Sequence, residues 1–146
     1  MVLGVSYYKM VDRHKIYFSE EHVLLRKMVK DFSNDELKPI AQDIDKNAIF
    51  PKESIKKIAD LGLMGIPWPE KYGGGGMDNL SLVIAIEEMA KVCVSTAVTV
   101  MAHTSLGSGP FALFGSESQK EEYLPKLSNG TIIGAFGLTE PNAGSD

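Results

Sequence analysis

The closing residues, Gly137-Leu-Thr-Glu-Pro-Asn-Ala-Gly-Ser-Asp146, gather the groups best suited to holding a polar ligand. Thr139 and Glu140 bring a hydroxyl and a carboxylate. Pro141 fixes a turn, and Gly144 lets the main chain come close to whatever Ser145 faces. Main-chain donors released at the end of a strand, together with small hydroxyls, suit a flat ring rimmed with heteroatoms, or a phosphate. The same residues also make an ordinary polar turn, and their types alone leave both readings open.

Other chemically suggestive residues read as structural. His14, His22 and His103 lie too far apart to form a local metal-ligand pair, and no cysteine cluster supports them, so no metal centre is expected. His103, between Met101 and Thr104 in a helical stretch, reads as a hydrogen-bonded interior histidine rather than a catalytic one. Glu87 and Glu88 look like paired carboxylates, but helical neighbours diverge by roughly a quarter turn. With Lys91 four and three residues further on, a solvated ion-pair face is expected. Ser108 is no nucleophile elbow, because Leu106 stands where the first glycine of Gly-x-Ser-x-Gly belongs. Cys93, the single cysteine, has an apolar helical context and reads as a buried, inert thiol; alone it excludes an internal disulfide. The glycine run 73–76 has neither a preceding strand nor a following Gly-Lys-Ser/Thr. It is expected to be a flexible or tightly turning connection, not a phosphate cradle.

Helices must position these groups. Ser19, followed by Glu20 and Glu21, reads as an N-cap with acids in the first turn. Leu24, Met28, Val29, Phe32, Leu37, Ile40, Ala41 and Ile44 keep helical spacing to about Asn47, with Pro39 expected to kink or divide the run near Glu36. Pro51 opens a helix carrying Ile55, Ile58 and Ala59, closed by Gly62. From Leu80, and again from about Ser95 to Leu106, two helices are apolar around much of their circumference, as central helices are. Gly107-Ser-Gly-Pro110 is expected to break the pattern. Ser116-Glu-Ser-Gln119 is a capping box for a helix ending or bending near Pro125. Asn129-Gly130 marks a turn, and residues 132–138 read as the first strand.

The bulk properties agree with a soluble globular protein. The 146 residues are 44% hydrophobic and 23% charged, enough for one domain or one domain and the start of another. A net charge of −4 leaves no basic footprint for nucleic acid. No apolar run approaches the roughly 20 residues of a membrane span, and residues 1–17 lack the apolar centre of a secretory signal. These read as a lead-in, with the bacterial cytoplasm or the mitochondrial matrix as the compartment.

Phe136-Gly-Leu-Thr-Glu-Pro-Asn-Ala-Gly-Ser-Asp146 resembles the flavin-site signature of the acyl-CoA dehydrogenases. The resemblance extends to Leu61-Gly-Leu-Met-Gly-Ile-Pro, Glu70-Lys-Tyr-Gly-Gly-Gly-Gly-Met, His103-Thr-Ser-Leu-Gly-Ser-Gly-Pro110, Phe114-Gly-Ser-Glu and Tyr123-Leu-Pro-Lys-Leu, in the family's order. It covers about residues 18–146, with wording nearest the short-chain, butyryl-type members. It implies a mainly α fold: a helical N-terminal domain over 18–129, then the first strand of a truncated β domain over 130–146. In the complete enzyme FAD lies between that β domain and a C-terminal helical bundle.

The resemblance also implies roles. Phe136, Gly137, Leu138, Thr139, Gly144 and Ser145 would line FAD, and Ser145 would reach the pantetheine arm of an acyl-CoA. The family's usual tyrosine is here Phe136, which keeps the ring and loses the phenol hydroxyl. The implied reaction is α,β-dehydrogenation of a short-chain acyl-CoA such as butyryl-CoA, a step of fatty acid β-oxidation. Electrons pass from FAD to an electron-transfer flavoprotein, and the complete enzyme is a homotetramer. The catalytic glutamate belongs to the C-terminal bundle, so no catalytic residue is expected here and Glu87, Glu88 and Glu140 are not substitutes. The chain is therefore expected to be a fragment, inactive alone. Alternatives are a non-catalytic helical interaction module, or a related acyl-CoA oxidase or flavin monooxygenase.

Overall fold

A computed structural model describes residues 17–145. Apart from Tyr17, the expected lead-in lies outside the described residues, as do His14 and Asp146.

Helix α1 (Glu20–Phe32) begins at Ser19, whose Oγ accepts from the His22 N–H at 3.2 Å. The capping box is closed by His22 Nδ1, which accepts from the Ser19 N–H at 3.0 Å. The helix widens into a π turn over Ser33–Leu37, where the Lys38 N–H reaches back to the Ser33 carbonyl at 2.9 Å. The chain then breaks at Pro39 before α2 (Ala41–Lys46), in accord with the missing proline N–H. Helix α3 (Lys52–Asp60) starts directly after Pro51. At Gly62, φ is +74° and nothing lies within 4 Å of a would-be Cβ, so the glycine answers a conformational need rather than a lack of space.

The glycine-rich loop turns tightly. Gly75 and Gly76 N–H groups donate to the Gly65 and Trp68 carbonyls, both at 2.9 Å, and Met77 donates to Ile66 at 3.0 Å. A Cβ at Gly74 would stand 2.1 Å from the Trp68 oxygen. A one-turn 3₁₀ helix (Glu70–Tyr72) lies within this loop.

Helices α4 (Asn79–Ala90) and α5 (Val94–Ala102) follow, with Cys93 buried in their short connection. The expected break at 107–110 does not occur. A second π turn (His103–Ser108) runs into α6 (Gly109–Phe114), and Pro110 falls in the first turn of α6, where its lack of an N–H leaves no helical bond unmade. The capping box at Ser116 and Gln119 opens α7 (Glu117–Ser128), which continues past Pro125 to Ser128. The bond lost there is to the carbonyl of Glu121, an exposed residue whose oxygen water can satisfy.

The main core joins Val29 and Leu37 to Ile58, Met64, Ala85, Met89 and Val100, all fully buried. A smaller cluster packs Tyr72 on Leu124 and Leu127. The fold is mainly α. Helices α4 and α5, apolar on most sides, bury Ile84, Met89, Ala97 and Val100 but leave Val83, Val94 and Val98 exposed. Residues 132–138 form no ladder among the described residues: a strand exists only through hydrogen bonds to a neighbouring strand, and none lies beside this segment. Replacing the fully buried Ile58 with Ala should lower unfolding free energy by about 2–5 kcal/mol in urea melts. Truncating the exposed Lys57 to Ala, which loses its ion pair with Glu36, should cost less than about 1 kcal/mol.

Candidate cofactor site

Helix α7 delivers the chain to the closing loop. After Ser128 the turn is made by Gly130 at φ +71°, whose N–H donates to the Leu127 carbonyl at 3.1 Å. Thr131 N–H donates to Asn129 Oδ1 at 2.9 Å and Ile132 N–H to the Lys126 carbonyl at 3.2 Å. Gly134 then crosses Gly107 so closely that a Cβ on Gly107 would stand 2.6 Å from the Gly134 main chain.

The π turn below this crossing buries three polar side chains, His103, Thr104 and Ser108, and leaves Ser105 and Leu106 exposed. His103 Nδ1 accepts from the Gly134 N–H at 2.9 Å, so Nε2 carries the ring proton and donates to the Leu127 carbonyl at 3.1 Å. The reading of His103 as an interior, hydrogen-bonded histidine agrees with this geometry. Thr104 Oγ1 donates to the Met64 carbonyl at 3.2 Å. Ser108 Oγ accepts from Trp68 Nε1–H at 3.0 Å and donates to the His103 carbonyl at 2.9 Å, which leaves a buried structural hydroxyl rather than a nucleophile.

Beyond Gly134 the chain opens to solvent. None of the main-chain N–H groups of residues 135–139 has a partner among the described residues. Phe136 is 54% exposed and Leu138 74%. A turn follows, with reciprocal main-chain bonds between Glu140 and Ala143 at 3.0 and 3.3 Å and Pro141 at its second position. The antiparallel bridge sets Thr139 opposite Gly144 as the next pair along its two arms. No atom lies within 4 Å of a would-be Cβ at Gly137 or Gly144, so both faces can be approached closely. Phe136, Gly137, Leu138, Thr139, Gly144 and Ser145 are thus all exposed, and with them unpartnered main-chain donors, the Thr139 hydroxyl and apolar surface.

Elsewhere the structure corrects or extends the sequence reading. Glu88 is 4% exposed, not solvated as expected. Arg26 Nη1 approaches it at 2.5 Å and Lys91 Nζ at 2.7 Å, while Glu87 stays on the exposed side of the same pairing. Arg26 arrives from α1, more than sixty residues away, and no local pattern signals it. His22 Nε2 meets the Asp78 carboxylate at 3.0 and 3.1 Å, tying the N-terminus of α1 to that of α4. Asp78 also caps α4 through Oδ1 and the Ser81 N–H at 2.8 Å. The His22 hydrogen bond, then the Ser81 donors, hold the Asp78 carboxyl down at about 2. A cleft of about 280 Å³ between the end of α1 and the end of α4 is lined by Lys30, Asn34, Lys38, Glu88, Lys91 and Val92. Among the described residues, no group of His, Cys, Asp or Glu could hold a metal ion, and no helix is long and apolar enough to cross a membrane.

Residues 19–131 match the family model "Acyl-CoA dehydrogenase, N-terminal domain". The chain belongs to the acyl-CoA dehydrogenase family. A relative from Clostridium acetobutylicum, "Acyl-CoA dehydrogenase, short-chain specific", is 50% identical over 128 residues, covering 88% of this chain and 34% of its own length. The chain therefore spans about a third of the length of the curated relatives it matches. An acyl-CoA dehydrogenase from Bacillus anthracis solved in complex with FAD superposes with a TM-score of 0.82 and 37% identity, over 89% of this chain and 22% of that one. A chain solved in work on the electron transferring flavoprotein of Acidaminococcus fermentans and flavin-based electron bifurcation gives a TM-score of 0.84 and 41% identity, covering 88% and 34%.

Because the Asp78 pKa is depressed from 3.8 to about 2 in the fold, its contribution to stability is present above pH 4 and is lost as the pH falls through that window. Asp78→Ala should lower stability at pH 7 by about 1 kcal/mol, the usual worth of an N-cap. Asp78→Asn, which keeps the cap and loses the charge, should flatten the acid limb of the stability profile between pH 4 and 2.

Proposed function

We propose that this chain supplies one wall of the flavin site of an FAD-dependent acyl-CoA dehydrogenase acting on short-chain acyl-CoA thioesters. The observation that carries the reading is the open wall at 135–145, whose unpartnered donors follow directly on the family's helical domain. Phe136 and Leu138 would pack on the ring system, with the N–H groups of 138 and 139 and the Thr139 hydroxyl donating to its heteroatom edge. Gly137 and Gly144 admit close approach, and Ser145 would reach the pantetheine arm of the substrate. Bound FAD would accept the β-hydrogen of the acyl chain as hydride while a base removes the α-proton.

No base is assigned to this chain. Glu87 and Glu88 are engaged by Arg26 and Lys91, and Glu140 sits on the exposed turn. The chain alone is thus expected to be catalytically inactive. The short-chain preference draws on the Clostridium acetobutylicum relative, FAD on the Bacillus anthracis structure, and an electron-transfer flavoprotein as acceptor on the Acidaminococcus fermentans structure. With the reading come a homotetrameric complete enzyme, a cytoplasmic or mitochondrial-matrix location, and a division into a helical domain over 18–129 and the start of a β domain from 130.

A second reading, a helical interaction module, is favoured by one observation. Val94, Val98 and Met101 recur at helical spacing on the exposed side of α5, and Phe114 on α6 is 85% exposed. Light scattering of the pure chain tests the self-associating form of this reading: the module should be oligomeric, and a monodisperse monomer removes that form.

Titrating FAD into the isotopically labelled chain should give weak, saturable amide shifts confined to residues 136–145 and diminished in Thr139→Ala. Shifts elsewhere, or none, would overturn the site assignment. Gel filtration should strip the flavin, and butyryl-CoA should not bleach it. Yellow protein reduced by butyryl-CoA would show that the chain needs no further walls.

A further inference from the structure

The π turn poses a question that the wall alone does not answer. Residues 135–139 make no main-chain hydrogen bond to the helical body, so something upstream must decide where they emerge. The last main-chain group of the segment tied to that body is the Gly134 N–H, and its acceptor is a side chain, His103 Nδ1, at 2.9 Å. His103 is fully buried, its other nitrogen donates to the Leu127 carbonyl at 3.1 Å, and the ring therefore bridges the end of α7 to the exit of the segment. Gly107 and Gly134 pack back to back beside it, with no room for a Cβ on either. Burial pushes the imidazole below its ordinary value, so at pH 7 the ring is neutral and Nδ1 keeps the lone pair that the contact requires.

We infer that His103 is a positioning residue: as the Nε2–H tautomer it sets the point and direction in which residues 135–139 leave the helical body, and so where Phe136 to Thr139 present their donors. That these donors face a flavin rests on the function proposed above; that His103 aims them does not.

Scalar coupling across the hydrogen bond reads the claim in the unaltered chain. A ¹⁵N–¹⁵N correlation from the Gly134 amide to His103 Nδ1, with imidazole shifts of an Nε2–H tautomer, is expected. A protonated Nδ1 without that correlation overturns the inference even if no variant folds. Two variants split the ring's functions. His103→Asn keeps an acceptor near the Nδ1 position, whereas His103→Gln keeps a donor near Nε2 and offers nothing to Gly134. Gly134 amide exchange should accelerate about tenfold in His103→Gln, the factor that losing one hydrogen bond of ordinary net strength implies, and return toward the parent rate in His103→Asn. The amides of 135–139 should gain mobility only in the former.

Equal Gly134 protection in both variants overturns the inference. So does an FAD response at Thr139 as strong in His103→Gln as in the parent, although the flavin reading would then stand. If the exchange pattern appears while FAD shifts nothing, the flavin reading falls and the positioning role of His103 holds.

Discussion

A polar group taken into a protein interior must find a hydrogen-bond partner there, because the alternative is its full desolvation penalty. The structure concentrates that constraint at the second π turn. His103, Thr104 and Ser108 are all fully buried, and each resolves its need by reaching a different part of the chain. Thr104 reaches the Met64 carbonyl, Ser108 takes the Trp68 indole N–H, and His103 spans Leu127 and Gly134. One widened turn thus ties the glycine-rich loop, the last helix and the exit of the closing segment to a common centre. Replacing it with regular α-helix would rotate these three side chains away from their partners.

The outer parts of the fold depend on that centre less directly. His22 and Asp78 join two helix starts, and the buried carboxylate of Glu88 joins α1 to α4 through Arg26. These ties orient the helices that carry the main core, while the exposed apolar sides of α4 and α5 remain open. The candidate site shares that openness. It is an exposed stretch with unpartnered main-chain donors and one exposed ring, that of Phe136, so the proposed cofactor reading requires further walls around it.

Local chemistry made much of the fold legible. Ser19 and Ser116 announced helix starts, Pro39 a division, Gly62 a helix end, and Gly130 and the glycine run turns; each acts within four or five residues of itself. Where the reading departed from the structure, a long-range or partner-dependent effect prevailed. Gly107 and Pro110 did not break the helix because a π turn absorbs the irregularity and places the proline where it is harmless. Helix α7, expected to end or bend near Pro125, ends three residues past it at Ser128, and the carbonyl the proline orphans lies on an exposed residue. Residues 132–138 have strand composition but, among the described residues, no neighbouring strand to pair with.

The sequence by itself determined the helical fold, the family and the chemical character of the closing loop, because periodicity, capping residues and motif order are written in residues adjacent along the chain. Only the tertiary structure decided that Glu88 is buried, that Asp78 answers to His22, and that His103 holds Gly134. Those pairings join residues dozens of positions apart, and a one-dimensional pattern carries no record of which buried polar group will meet which partner.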